Sequence, residues 1–593
     1  VLEISFQNSF DITKIDFRDE ARAKKLLDAI NTEKIPELDE IIKGTSIESD
    51  IKNVLYPIID QNQVVIVGGA FFGDEGKGKT VDAIAWHPSI ELIGRTNSGP
   101  NAGHTVWFND KKYVFHLSPS GLFTGKTNFI GSDCVMDTTS FMKDEMQIII
   151  DDKIDYSNLF VGNVNLILPQ HKIIDALGDA NSSTLQGISP SHMSKISKKS
   201  FRLYDLFNSE DIQAKRIQPG LDFYHALIDF KKKDEKELLN VFHELNEKVS
   251  GRIPDHVLDF LKTNRKDRIE YVIQTHKDWV VNNPQFPKIT DTEQLVKVTL
   301  AKGGKVLLEG PQSYNLSSKV KNNYRSATSP DTSASGIAAA IDYNITKHKT
   351  AVINIHKTPG SSRVGIGANP AGFISQDYFS SRNIETLLEM RGICEDYDTI
   401  QRQFFESIGE NGILQQTIYK DKDGKQYPIG AAMAISSAKT FDEQGATTKK
   451  PRITGLFDCV LHHQVNMAQG PYLSISAVDR ADTQEEVGII VGYVVSNKDQ
   501  KPIFSGGEYY EHDRIIKAGD VVPSEDVLAH CQPIIKKLPG WKDSPIAAKK
   551  KDPNAPLHEN LLNFIGEIEK YTGAEIISIG NGPEKENLIY IKK

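Results

Sequence analysis

Two short clusters carry the residue types and spacing that chemistry on a phosphate needs. The first lies in residues 64–80, VVIVGGAFFGDEGKGKT, and the second is Asn101-Ala102-Gly103-His104-Thr105. Gly73, Asp74, Glu75, Gly76, Lys77, Gly78, Lys79 and Thr80 match the pattern G-x-x-x-x-G-K-[ST] letter for letter. A strand, a glycine-rich turn and a helix start aim backbone N–H groups at one point, with the helix dipole behind them, and that suits a phosphate. Lys77 and Lys79 add positive charge, and the Asp74 carboxylate can hold Mg2+ or take a proton. A strand-to-helix turn whose glycines serve only close packing is the plainer reading. The full pattern in its strand–loop–helix context favours nucleotide phosphate binding.

Hydrophobic patterning shows which elements position these residues. Residues 64–68 form a short β-branched apolar run, the mark of a buried strand, and Thr80 opens a helix-like segment, TVDAIAW. From residue 64 to about 150 strands alternate with helices, and residues 160–168, 305–310, 351–356 and 488–495 add buried-strand candidates. Residues 207–298 are dominated by amphipathic helical patterns. The expected fold is α/β, a mostly parallel central sheet with a P-loop-like glycine-rich loop, flanking helices and helical insertions.

Residues 1–60 read as an N-terminal helical extension, with helical patterns at 19–31 and 37–43. Residues 61–593 read as one catalytic domain with insertions near 208–300, 371–444 and 497–538. Residues 376–444 carry little motif content and are expected as a surface insertion. The lysine-rich residues 547–556 are expected as an exposed loop ahead of a last helix at 559–571.

Composition excludes several classes. Hydrophobic residues at 39% and charged residues at 25% are ordinary for a soluble globular protein. A net charge of −9 gives no global attraction to nucleic acid or an anionic membrane, so any phosphate site must be a local basic pocket. Cys134, Cys394, Cys459 and Cys531 are scattered without CxxC spacing, which indicates neither a zinc site nor a disulfide framework. No apolar run approaches the roughly 20 residues of a membrane span. A cytoplasmic protein with neither a nucleic-acid nor a membrane partner is expected.

The glycine loop alone names no reaction. GDEGKGK together with NAGHTV, followed by His116-Leu117 and Pro119-Ser120-Gly121, resembles the adenylosuccinate synthetase family, whose members join L-aspartate to IMP with cleavage of GTP. The resemblance continues in order through DLF at 205–207, EGPQ at 309–312, TSPDTSASG at 328–336, SSRVGIG at 361–367, GATTKKPRITG at 445–455, PGW at 539–541 and GP at 582–583. It implies Asp74 as the base that takes the purine N1 proton and as a Mg2+ ligand. It implies His104 near the 6-oxygen and the transferring phosphoryl group, and Gly103 as a carbonyl ligand of Mg2+. The triphosphate would meet Gly73, Glu75, Gly76, Lys77, Gly78, Lys79, Thr105, Arg452, Asp479 and Gly582.

For IMP the resemblance implies Asn101, Ala102, Thr184 beside Gly187, Gln312, Thr328 and Lys450, with Lys198 reaching the phosphate from a second subunit, hence a homodimer. For aspartate it implies Thr447, Thr448 and Arg452. The chain departs from the family at Gln186 and Lys198, where arginines are usual, and in Lys449-Lys450-Pro451-Arg452, which is less arginine-rich. It departs most where the family reads guanine with TKLD, here Ser476-Ala477-Val478-Asp479. Asp479 can still accept from guanine, whereas Ala477 cannot replace a lysine, so the donor is GTP or ATP. The alternatives are a phage-type ligase acting on dGMP, a P-loop NTPase, and a non-catalytic nucleotide sensor.

Overall fold

The computed structural model describes residues 51–97, 99–177, 185–248, 253–344, 346–374, 397–443, 452–497, 501–552 and 555–591. The extension over residues 1–50, with its two helical patterns, lies outside the described residues. The helix that precedes the glycine loop, Ile51–Gln61, is packed on the body. Its Val54, Leu55, Ile58 and Ile59 share a buried cluster with Leu588 and Tyr590 of the last strand.

A ten-stranded sheet runs in the order Leu588–Tyr590, Glu575–Gly580, Tyr472–Ser476, Thr350–Lys357, Val64–Gly69, Lys305–Ser313, Ile90–Arg95, Thr127–Ile130, Leu159–Val161, Lys288–Ile289. Every pairing is parallel except that of Leu588–Tyr590 with Glu575–Gly580. The strand that feeds the glycine loop is central, with Val64 opposite Val306 on one side and Thr350 on the other. Both sheet faces are covered, which is why these strands read as unbroken apolar runs. Leu307 packs with Val65 and Ile84, while Leu308 packs on the opposite face with Ile66, Phe129 and Ile337. Parallel strands put their C-terminal ends along one edge, where open α/β sheets bind ligands. Gly69, Arg95, residues 309–313, Lys357 and Ser476 all lie there.

Four local expectations change. The first helix, Lys77–Ala85, starts three residues before Thr80, because Gly76 at φ 80° makes the turn itself. The strand expected over 160–168 splits into Leu159–Val161 and Asn165–Leu166. Gly162 breaks it, passing so close to Thr292 that a Cβ would lie 2.5 Å from its hydroxyl oxygen. The supposed surface stretch contains the helix Ile429–Thr440, buried from Ile429 to Ala438 in a core with Phe71, Phe72, Phe404 and Phe405. Its sequence, IGAAMAISSAKT, is small and apolar all round, which hides any amphipathic period. Within the expected loop at 547–556, the helix Pro545–Lys551 forms, capped by Ser544 and started by proline.

Helices Glu210–Phe230, Glu235–Lys248, Asp255–Lys262, Arg268–Val280 and Thr292–Ala301 occupy the amphipathic region. Among the described residues no helix is long and apolar enough to cross a membrane.

If both faces of the strand Lys305–Ser313 are dry, Leu307→Ala and Leu308→Ala will each lower unfolding free energy by about 2–5 kcal/mol in urea titrations. A near-neutral result for either would mean that its face is solvated.

Candidate functional site

The glycine loop is braced from within by Glu75. Its carboxylate accepts from the backbone N–H of Ala70 at 3.1 Å, from the N–H of Phe71 and from the Ser313 hydroxyl, and Lys77 Nζ stands 3.8 Å away. Burial raises the Glu75 pKa against the pull of Lys77, and the same burial lowers Lys77 against the pull of Glu75. Both side chains, expected at a triphosphate, are thus turned inward on each other. Gly73, Asp74 and Gly76 all have positive φ, at 97°, 54° and 80°. For Asp74, which has a Cβ, this conformation costs on the order of 1 kcal/mol, the kind of strain that clusters at functional positions.

The two sequence motifs meet at Gly78. A Cβ there would lie 2.8 Å from the Thr105 carbonyl oxygen and 3.3 Å from His104 Cβ. His104 begins a hairpin strand, His104–Phe108, paired with Lys111–Phe115, and its ring is 5% exposed. Nδ1 bonds Glu309, a buried carboxylate that also accepts from the Ser120 N–H and hydroxyl at 2.7 Å each. Nε2 has only a 3.3 Å contact with the Pro311 carbonyl. Burial and the charge of Arg95 push His104 down to about 4, against the pull of Glu309. Burial would raise Glu309, but His104, Arg95 and the Ser120 N–H outweigh it and hold it at about 2. The imidazole is therefore neutral at pH 7 and oriented through Nδ1, with Nε2 the ring atom free to turn to a ligand.

Asp74 is half-exposed and lies among cations. It pairs with Arg452, and Lys357 Nζ is 3.7 Å away. Behind them Glu443 holds Lys357 at 2.7 and 2.8 Å, Arg480 at 2.7 Å and Arg452 at 3.6 Å. Burial, reinforced by Arg480, pushes Arg452 down to about 10. This arrangement can receive further carboxylate or phosphate oxygens.

A third group gathers around Lys79. Its Nζ donates to the Gly582 carbonyl at 2.7 Å, and burial lowers its pKa to about 8 against the pull of Asp479. Asp479 is exposed on the turn Val478–Ala481, which Ala477 enters at φ 65°. Gln312 donates to Asn101 at 2.8 Å, while its own carbonyl oxygen is buried without a hydrogen-bond partner among the described residues. Ala102 is half-buried and Gly103 is exposed. The Thr328 N–H donates to Leu316 at 2.8 Å, in a loop that Arg363 ties down through Asn323 and Ser326. Lys198 is exposed at φ 60°, just past the helix Ile188–Ile196. Thr184, Thr447, Thr448 and Lys450 lie outside the described residues.

Sequence reasoning gave no role to Glu309, Lys357, Glu443, Arg480 or Arg95. A signal existed for three of them: Arg95 and Lys357 end apolar strands and Glu309 interrupts one, and a charge carried into a buried run has to be paired there.

The sequence profile of the adenylosuccinate synthetase family matches residues 65–273 and 260–589 of the chain. Adenylosuccinate synthetase of Trypanosoma brucei gambiense is 47% identical over 575 residues, covering 94% of this chain and 95% of that protein. That of Leishmania major is 44% identical over 601 residues, covering 99% of this chain and 84% of the relative. The solved structure of fully ligated adenylosuccinate synthetase from Plasmodium falciparum superposes with a TM-score of 0.58 at 22% identity, covering 90% of this chain and all of that one.

Removing the Glu309 charge should leave Arg95 and His104 buried beside a neutral amide. Glu309→Gln is expected to cost about 3–5 kcal/mol of unfolding free energy, and a loss under about 1 would contradict an ionised, paired Glu309. The pH dependence has a fixed sign. The low His104 pKa makes its contribution full above its unfolded value near 6.5 and lost as pH falls toward 4. The depressed Glu309 adds stability present above its unfolded value near 4.5 and lost toward about 2. His104→Gln should flatten the first of these slopes in urea titrations run across pH.

Proposed function

The chain belongs to the adenylosuccinate synthetase family and is a ligase that joins L-aspartate to IMP, and from that premise we propose how its residues carry the reaction. The 6-oxygen of a purine lactam is a poor leaving group until it is phosphorylated. Asp74 takes the N1 proton of IMP, and the 6-oxygen then attacks the γ-phosphorus as the bond to the β-phosphate oxygen breaks. The aspartate amine next adds at C6, phosphate departs with the 6-oxygen, and the amine loses a proton. His104, held through Nδ1 by Glu309, takes up a proton as the phosphate charge arrives beside it and donates Nε2–H to the 6-oxygen and the transferring phosphoryl group. The observation that supports this reading is the contact of the two motifs at Gly78, where the Thr105 carbonyl and the His104 Cβ lie against the motif that bears Asp74.

A nucleoside triphosphate lies along residues 73–79 and Thr105, on backbone N–H groups and the Lys79 ammonium. Its base reaches Asp479 and Gly582, and guanine is favoured because an exposed carboxylate accepts from both N1–H and N2–H2. IMP meets Asn101, Ala102, Gln312 through its unmatched carbonyl, Thr328, and Thr184, Gly187 and Lys450. L-Aspartate is held by Thr447, Thr448 and Arg452.

Mg2+ commonly binds through one or two protein oxygens plus substrate phosphates. A half-exposed Asp74 carboxylate on the phosphate loop, with the exposed Gly103 beside His104, fits that mode. When bound there, the ion would neutralise charge on the transferring phosphoryl group.

In the free protein Asp74 is paired with Arg452, and the carboxylates of incoming aspartate would draw Arg452 away and free the Asp74 carboxylate to meet IMP. A homodimer is supported by the exposed Lys198 beside Ile196 and Met193, which are 80% and 53% exposed.

Asp74→Asn and His104→Gln are expected to lower kcat by about 10²–10⁴-fold. Asp74→Asn should leave the melting temperature almost unchanged, and phosphate release by the unmodified enzyme should require both IMP and aspartate. Retained turnover would contradict the assigned roles, and release without IMP would favour an NTPase. If Lys198 acts across a dimer, mixing Lys198→Ala and Asp74→Asn proteins should restore up to about a quarter of full activity through hybrid dimers. No recovery after verified subunit exchange would contradict it.

A further inference from the structure

Away from the strand ends lies a further buried ionic group. Asp137, Lys172 and His256 come from three separate elements and are 1%, 3% and 7% exposed. Lys172 Nζ lies 2.7 Å and His256 Nε2 3.2 Å from one oxygen of Asp137, Oδ2. The other oxygen accepts from the backbone N–H of Thr139 at 3.0 Å and of Ser140 at 3.3 Å. Burial alone would raise the Asp137 pKa, but His256 and Lys172 outweigh it and hold the carboxyl well below its ordinary range. A second tie lies next door, where His276 Nδ1 and the Thr138 hydroxyl are 2.7 Å apart. Two helices, Asp255–Lys262 and Arg268–Val280, are thereby pinned to residues 137 and 138.

Lys172 belongs to the helix Pro169–Leu177, and the backbone of that helix seats Gly187. A Cβ on Gly187 would lie 2.8 Å from the Lys172 nitrogen and 3.0 Å from the His171 carbonyl carbon. Gly187 has φ 73°, and its N–H donates to Asp175 at 2.9 Å. The turn of helix that Asp137 holds by its lysine is therefore the turn on which Gly187 rests. A buried ion pair is weak evidence for stability, because apolar replacements often do as well. Fixing the register of packed elements is its best-attested use.

We propose that Asp137 and His256 are positioning residues for nucleotide monophosphate binding. Through Lys172 they set where the helix Pro169–Leu177 stands, and so where Gly187 presents its turn to the phosphate, without touching it themselves. The proposal rests on the reading that Gly187 lies at the IMP phosphate.

The test is steady-state kinetics of the full chain carrying Gly187→Ala, Asp137→Asn, His256→Leu or His256→Gln. Gly187→Ala tests the underlying reading and should raise the KM for IMP. Asp137→Asn and His256→Leu should raise that KM about tenfold, with kcat and the KM for aspartate within about twofold. His256→Gln, which keeps an N–H donor, should recover most of the loss. Should Asp137→Asn fail to fold, the two His256 variants carry the test. The proposal is overturned if Gly187→Ala raises the KM for IMP while the His256 variants leave it unchanged. It is equally overturned if those variants degrade kcat, every KM and the melting temperature together. An unchanged KM in Gly187→Ala removes the reading of Gly187, and the proposal with it, a result distinct from either of these.

Discussion

A carboxylate with no access to solvent governs the reactive edge of this protein. Glu309 lies in the middle of a central strand, Lys305–Ser313, fully buried, and is tolerable there only because His104, Arg95 and Ser120 surround it. That requirement fixes one face of the His104 ring and brings the hairpin that carries it against the glycine loop. The loop is closed by the same rule, since buried Glu75 needs Ser313, the Ala70 and Phe71 amides, and Lys77. Two buried carboxylates on or beside neighbouring strands thus hold the His104 ring and the glycine loop in place.

The sheet makes this arrangement possible. Parallel strands deliver charged residues to one edge from segments far apart in the chain, Glu75, Glu309 and Lys357 among them. Apolar cover on both faces excludes water and strengthens each charge interaction inside. The Asp74 side differs in kind. There the carboxylate is half-exposed and its partners, Arg452 and Lys357, are cations backed by Glu443. One half of the candidate site is therefore fixed by burial, and in the proposed reaction the other half would exchange its partners for substrate carboxylates.

Much of this was legible in the sequence. The buried strands at 64, 305, 351 and 488, the glycine loop and the amphipathic helices of 207–298 carry strong local patterns, and each is present in the structure. What stayed hidden depends on long-range packing. The helix Ile429–Thr440 is apolar on every side, so no period marks it as core. The pairing of His104 with Glu309 joins residues 205 positions apart, and no local spacing encodes it. The inward turn of Glu75 and Lys77 was likewise invisible, because a motif gives residue types and not the direction in which side chains point.

The central proposal is that Asp74 and His104 act together in phosphorylating the purine 6-oxygen. IMP labelled with oxygen-18 at that position, incubated with L-aspartate, Mg2+ and GTP, tests it by mass spectrometry of the products. The account predicts that the label leaves in inorganic phosphate, one labelled atom for each adenylosuccinate formed. Unlabelled phosphate, with the label retained on the purine or released to water, would contradict it.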